Sequence, residues 1–292
     1  MKFLIPSAVG LLMISVGMSL SLAQLSATLR RLTLMAWLRM LAATFIGPAI
    51  LALLLARVFH LTDGALAGIF LIGVAPGAPL LTRNLSRRGF DLHLAATYQV
   101  WAAMMIPIMI PLVVVCAGKL YNRDIWISPV ELLGQIAIKQ LFPLALGMLF
   151  AKAAPALASK VQPPLNLIGN IVLTVVLILG LIKLGPALKN ITPMLPVVCM
   201  LMALGCMSMV WLIGPREPIV MHTFAISNAN RHVGLAVLLS GEYFNSARAL
   251  PSIACYAILV PFVMIGFAAW FKRRHFTGGS ALRDAQIPVG SD

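Results

Sequence analysis

Charge is scarce in this chain of 292 residues: 10% of it is charged, against 61% hydrophobic. No soluble domain of this size has that balance, so the composition points to a polytopic membrane protein with the lipid bilayer as its main surroundings. Acids are scarcer still. There are eight, Asp63, Asp91, Asp124, Glu131, Glu217, Glu242, Asp284 and Asp292, and none falls in the middle of an apolar run. Sodium or proton coupling usually rests on an intramembrane carboxylate, and that device is missing. Cysteine is sparse too. Cys116, Cys199, Cys206 and Cys255 form no CxxC pair, and each sits in or at the end of an apolar run, as small buried thiols do. No HExxH or other paired His/Cys spacing offers a metal site, and no cofactor is implied. A nucleophile–base pair and a mid-span carboxylate pair are both wanting, which puts a membrane-embedded enzyme far down the order. The net charge of +14 is not carried by a basic patch with interleaved aromatics, so nucleic acid is excluded as a partner. No small-residue cleavage site follows the opening apolar run, which reads as a first span rather than a signal peptide.

What is present is a series of apolar runs, each near the ~20 residues that cross a bilayer. They predict about nine spans: 3–23, 32–56, one from 65 that breaks at Pro76–Pro79, 92–117, 132–151, 165–184, 193–213, a broken eighth at 219–239, and 249–271. Pro107 and Pro111 should bend the fourth. Residues 152–164 read as a linker, and 272–292 as a cytoplasmic tail. Loops after odd-numbered spans carry Arg30, Arg31, Arg87, Arg88, Lys152, Lys160, Arg216 and Lys272 to Arg274, more cations than the loops after even-numbered ones. The positive-inside rule then puts the N-terminus outside and the C-terminus in the cytoplasm of an inner (plasma) membrane.

Two of these runs are interrupted by residues that do not suit a lipid-facing helix. His222 to Ala236 reads HTFAISNANRHVGLA and holds Ser227, Asn228, Asn230, Arg231 and His232 at bilayer depth. Polar side chains there face a cavity or a partner, and Asn and Ser loosen the helix locally. Gly73 to Gly89 reads GVAPGAPLLTRNLSRRG and is cut by Pro76, Gly77 and Pro79. Broken helices at corresponding places in two halves build the midplane sites of secondary transporters. The plan that follows is an inverted repeat, four spans and then five, with two broken helices that cross.

Arg231 has a functional reading, as a fixed positive charge for an anionic substrate or in place of a coupling ion, and a structural one, as a cation bonded to carbonyls freed by the break. His232 reads equally as a proton-coupling group or as a satisfied buried imidazole. Thr82, Asn84 and Gln99 are polar liners of the same cavity, whereas Arg83 fits an interfacial cluster with Arg87 and Arg88. Arg39 reads as snorkelling to the interface, and His222 and His93 as interfacial.

The chain resembles the bile acid:sodium symporter family. The resemblance is carried by GMSLSL at Gly17–Leu22, GVAPGA at Gly73–Ala78, Gly89–Asp91 leading to PIMIP at Pro107–Pro111, and NRHVGLA at Asn230–Ala236. Their order and spacing are specific as a set. Bacterial members carry one further N-terminal helix that this chain lacks. The resemblance implies a panel built from 1–31 and 131–184. The core would be 32–118, with its break near 73–89, and 191–271, with its break near 219–239. It also places the family's sodium ligands at Ala43, Leu81, Thr82, Gln99, Ser227 and Arg231. Only Thr82, Gln99 and Ser227 still offer a side-chain oxygen. A family Glu has become Ser227, a family Gln has become Arg231, and a family Asn is His232. The reading is therefore a secondary transporter of a small organic anion that does not use the family's sodium sites, with proton coupling open. A transport-incompetent relative acting as a membrane sensor or assembly partner is the alternative. Substrate identity and oligomeric state are not legible.

Overall fold

The computed structural model describes residues 4–19, 34–77, 92–120, 129–183, 193–214, 218–243 and 246–275. All regular structure among them is helical. Helix α1 is Leu4–Met18. Helix α2 has three parts, Leu34–Leu41, a π-helical turn Ala42–Ile46, and Gly47–Val58. Helix α3 is Asp63–Val74 and α4 is Leu92–Leu120. Helix α5 repeats the pattern of α2, with Pro129–Ile136, a π turn Ala137–Leu141, and Phe142–Ala153. Then come α6 (Pro155–Lys183), α7 (Leu195–Ile213), α8 (Pro218–Ala229), α9 (Val233–Tyr243) and α10 (Ser246–His275).

Among the described residues, four stretches are long and apolar enough to cross a bilayer: Trp37–Val58, Val130–Ala153, Leu195–Ile213 and Arg248–Phe271. Large apolar side chains such as Leu54, Leu112, Ile138, Phe142, Leu212 and Phe262 point outward and are exposed, as a lipid-facing surface requires. The chain is an all-α polytopic membrane protein.

Local chemistry explains the ends of the helices. Thr62 caps α3, its hydroxyl accepting from Ala65 N at 3.4 Å, and Asp63 lies in the first turn where the helix dipole favours a negative charge. Pro196 opens α7 at a position where its missing N–H costs nothing. Helix α4 runs on through Pro107 and Pro111. The expected linker at 152–164 is helix instead: α6 begins at Pro155, directly after Ala154, and passes through Pro163 and Pro164. Both prolines are exposed, so the carbonyls they leave without a donor can be satisfied from outside the protein.

The helices pack in two groups. In one, α1 lies between α5 and α6. Its contact with α5 is backbone on backbone: a Cβ on Gly17 would come within 3.0 Å of Gly147 Cα. Small residues let membrane helices approach this closely. In the other group, α3 packs on α2 and α10, and α7 on α2, α8 and α10. The groups meet where α1 touches α9, where α6 touches α10, and where the π turn of α5 touches α4.

Candidate functional site at the crossing of two broken helices

Helix α3 stops at Val74, and Ala75 to Gly77 are non-helical and buried. Pro76 lacks the N–H needed to continue the helix, and Gly77 takes φ +81°, a backbone that only glycine adopts without strain. Gly77 also lies close on α4: an added Cβ would be 3.2 Å from Ala102 Cβ and 3.4 Å from Gln99 O. Helix α8 stops at Ala229 and α9 starts at Val233, so the second break spans Asn230 to His232. The two breaks are joined directly. His232 N donates to Ala75 O at 2.8 Å.

The third party is the π turn of α2, and the sequence shows why it forms. Pro48 has no N–H to return to Thr44 O. Gly47 N donates to Ala42 O, five residues back, and so passes over Ala43 O. Two successive carbonyls are left without their helical donors. Both are taken from the second break: Asn228 Nδ2 donates to Ala43 O at 2.9 Å, and Arg231 Nη1 donates to Thr44 O at 2.9 Å.

Asn228 is fully buried and fully used. Its Nδ2 also donates to Cys206 O at 2.8 Å, and its Oδ1 accepts from the Tyr98 hydroxyl at 2.7 Å. That hydroxyl lies 3.2 Å from Thr44 Oγ1. Arg231 is 1% exposed. Its Nη2 donates to Cys206 Sγ at 3.2 Å, while its Nε has no partner. The polar groups that face the guanidinium are Cys206, Tyr98 and Tyr256, with no carboxylate among them. A positive charge therefore stands at the crossing, bonded to a carbonyl and a sulfur. Removing a charge from water is expensive, so these bonded groups are what sustain it in the described structure.

His232 works on the other side of the break. Its Nδ1 accepts from Leu235 N at 3.0 Å and so caps the first turn of α9. That bond assigns the proton to Nε2, which is buried and has no partner. The ring lies beside Gly234, where an added Cβ would be 3.4 Å from His232 Cε1, 3.3 Å from Val9 of α1 and 3.2 Å from Leu173 of α6. His232 thus stands on the seam between the two helix groups.

The remaining expected site residues divide. Ser227 donates to Thr223 O at 2.7 Å within its own helix, and Asn230 is half-buried. Gln99 is buried on α4 beneath the first break. Thr82, Asn84, Pro79, Leu81 and Arg83 lie outside the described residues. Arg39 is exposed on α2. His222, expected at the interface, is 2% exposed and stacks on Phe271 with ring centroids 3.7 Å apart, beside Trp211 and Phe267. Apolar flanks hide this pocket from a reading of position along the span. Thr44, Tyr98, Cys206 and Tyr256 were not singled out by the sequence. Pro48 was the one available signal, since a proline inside a span leaves a carbonyl four residues earlier in need of a donor.

The family model described as the sodium bile acid symporter family matches residues 6–191. The chain belongs to the sodium bile acid symporter family. No curated protein matches it. At the family level this is symporter-like transport of organic anions, coupled to sodium, by an integral membrane protein. The family match takes in α1 to α6, with the first break and the α2 turn. It ends before α7, so Asn228, Arg231 and His232 lie beyond it.

Proposed function

We propose that this chain is a secondary transporter of a small organic anion, and not an enzyme, and that Arg231 stands where relatives place a sodium ion. The observation that carries this reading is the guanidinium bonded to Thr44 O with no described carboxylate facing it. The carbonyls that a hard cation would need are occupied by protein donors, and a second cation beside Arg231 would be repelled. The fixed charge instead raises the local potential for an anion, and the free Nε2–H of His232 offers that anion a donor on the seam. Helices α1, α5 and α6 would form the panel. The other helices would form the core, whose halves are inverted with respect to each other. Substrate would enter where His232 stands between them, at the site with Asn228, Asn230, Ser227, Gln99, Thr82 and Asn84. The N-terminus would lie outside an inner membrane and the C-terminus in the cytoplasm.

Proton coupling through His232 is the less favoured variant. A proton on Nδ1 would remove the acceptor that holds Leu235 N and uncap α9. A transport-incompetent sensor or assembly partner is the second reading, favoured by one observation: Ala43 O and the Arg231 guanidinium are bonded into the crossing by protein partners. Uptake of radiolabelled organic acids into liposomes, with sodium and pH gradients imposed separately, decides among these. Uptake without a sodium gradient is the expected result. Strict sodium dependence would overturn the role given to Arg231, and no uptake of any acid would favour the second reading.

A further inference from the structure

Helix α5 carries the same device as α2, but with a different outcome. Pro143 has no N–H, Phe142 N donates to Ala137 O five residues back, and the chain makes a π turn over Ala137–Leu141. The turn leaves Ile138 and Phe142 exposed on the outer face and Gln140 only 1% exposed on the inner one. Neither Nε2 nor Oε1 of Gln140 has a hydrogen-bond partner. The turn packs on α1 and α4, where Val9, Met13 and Val16 of α1, Ala103 of α4 and Leu144 of α5 form one closed apolar cluster. Val9 also borders Gly234, which lies beside the ring of His232, and His232 Nε2 is likewise buried without a partner.

We infer that Gln140 is a specificity-determining residue that contacts substrate from the panel side, reading a hydroxyl or amide that the transported organic anion carries besides its acid group. The inference rests on the transport reading above. A primary amide offers both a donor and an acceptor, and here both are unmet. A carboxylate could satisfy only the Nε2 side, whereas a hydroxyl or an amide satisfies both. An open seam hydrates the amide. Closing it without a polar partner strips that water and returns nothing to the amide. Closing it on a substrate that bears such a group restores both bonds, so Gln140 favours closure of the loaded carrier over the empty one. A site built to bond a hydroxyl rejects the analogue that lacks it.

The test uses the full chain in liposomes and two matched pairs of acids, 3-hydroxybutyrate with butyrate and cholate with cholanate. The wild type should prefer the hydroxylated member of the pair it carries by about tenfold or more. Gln140→Leu should bring that ratio near parity while keeping uptake of the deoxy acid. Gln140→Met, which keeps an unbranched stem, serves as the second variant. An unchanged ratio in the variants overturns the inference and leaves the carrier reading standing. So does a wild type without preference, and so does loss of folding in both variants, which assigns Gln140 to structure. A wild type that carries none of the four acids overturns the inference, and one that carries no organic acid at all sinks the carrier reading with it.

Discussion

The π turns of α2 and α5 arise from the same local chemistry and end in opposite states. Each is followed within two residues by a proline, and in each a backbone N–H bonds five residues back. In α2 the freed carbonyls of Ala43 and Thr44 are both captured, by Asn228 and Arg231. In α5 the turn drives Gln140 into an apolar seam with neither end of its amide bonded. The first turn is a closed joint, in which the protein supplies every partner. The second is an open one, and buried amides do not stay open without a reason. A π turn alone therefore says nothing of function, and what its freed groups meet is the informative part.

Breaking the closed joint should have the largest effect. Asn228→Leu removes two donors and one acceptor from a fully buried position: it strands Ala43 O, takes the second donor from Cys206 O, and leaves the Tyr98 hydroxyl with Thr44 Oγ1 alone. Such losses run about 1–3 kcal/mol per stranded group, and less in membranes, where the unfolded chain finds other partners. We expect about 2 kcal/mol lower stability, read as a lower melting temperature of the purified protein in detergent. A variant as stable as the wild type would show that the joint is not closed by Asn228.

Arg231→Gln comes next. It keeps a donor near Thr44 O but removes the charge, so folding should persist while anion uptake falls by about tenfold, on the order of 1.4 kcal/mol. Membrane insertion assayed beside uptake separates the two effects. Normal uptake in this variant would remove Arg231 from the site. A smaller effect belongs to Pro48→Ala. It restores an N–H that can return to Thr44 O and compete with Arg231 Nη1 for it. The expected cost is under about 1 kcal/mol in melting, one bond being exchanged for another, with a partial loss of uptake. An unaltered melting temperature and unaltered uptake together would mean that the guanidinium does not depend on the proline.

Much of this arrangement was legible in the sequence, and the remainder was not for physical reasons. Apolar runs of spanning length announce the helices, because the bilayer sets their length. Pro76 and Gly77 announce the first break, since one removes a donor and the other allows φ +81°. Asn228, Arg231 and His232 announce the second, because polar groups at that depth need partners. What those partners are depends on which helices come together. Nothing local to Asn228 points to Ala43 O, 185 residues away. Nor does position along a span reveal that His222 is sealed by Phe271, or that Gln140 faces inward while Ile138 and Phe142 face out, since the π turn rotates the helix by one residue. The linker expected at 152–164 is helix because the carbonyls before Pro163 and Pro164 face outward, where the bonds those prolines remove can be replaced.

The smallest expected effect is the sharpest test of the closed joint: removing sodium should change nothing. A sodium ion at this crossing would need carbonyl or carboxylate oxygens. Ala43 O and Thr44 O are the carbonyls that the α2 turn frees, and both already receive N–H donors. Ser227 turns its hydroxyl proton to Thr223 O and sits in a helix whose next polar residues are the Asn228 and Arg231 that took those carbonyls. Among the described residues no carboxylate faces the site to balance an added cation, and the guanidinium is already there. Replacing sodium by choline on both sides of the liposome should therefore leave the initial rate of uptake within about the error of the assay, where a sodium-coupled carrier would lose tenfold or more. The discriminating control is Arg231→Gln, which empties the cation position. If that variant alone gained a sodium dependence, Arg231 would be acting in place of the ion. If the wild type proved sodium-dependent, the α2 turn would have to release Asn228 or Arg231 during transport, and the joint would be open after all.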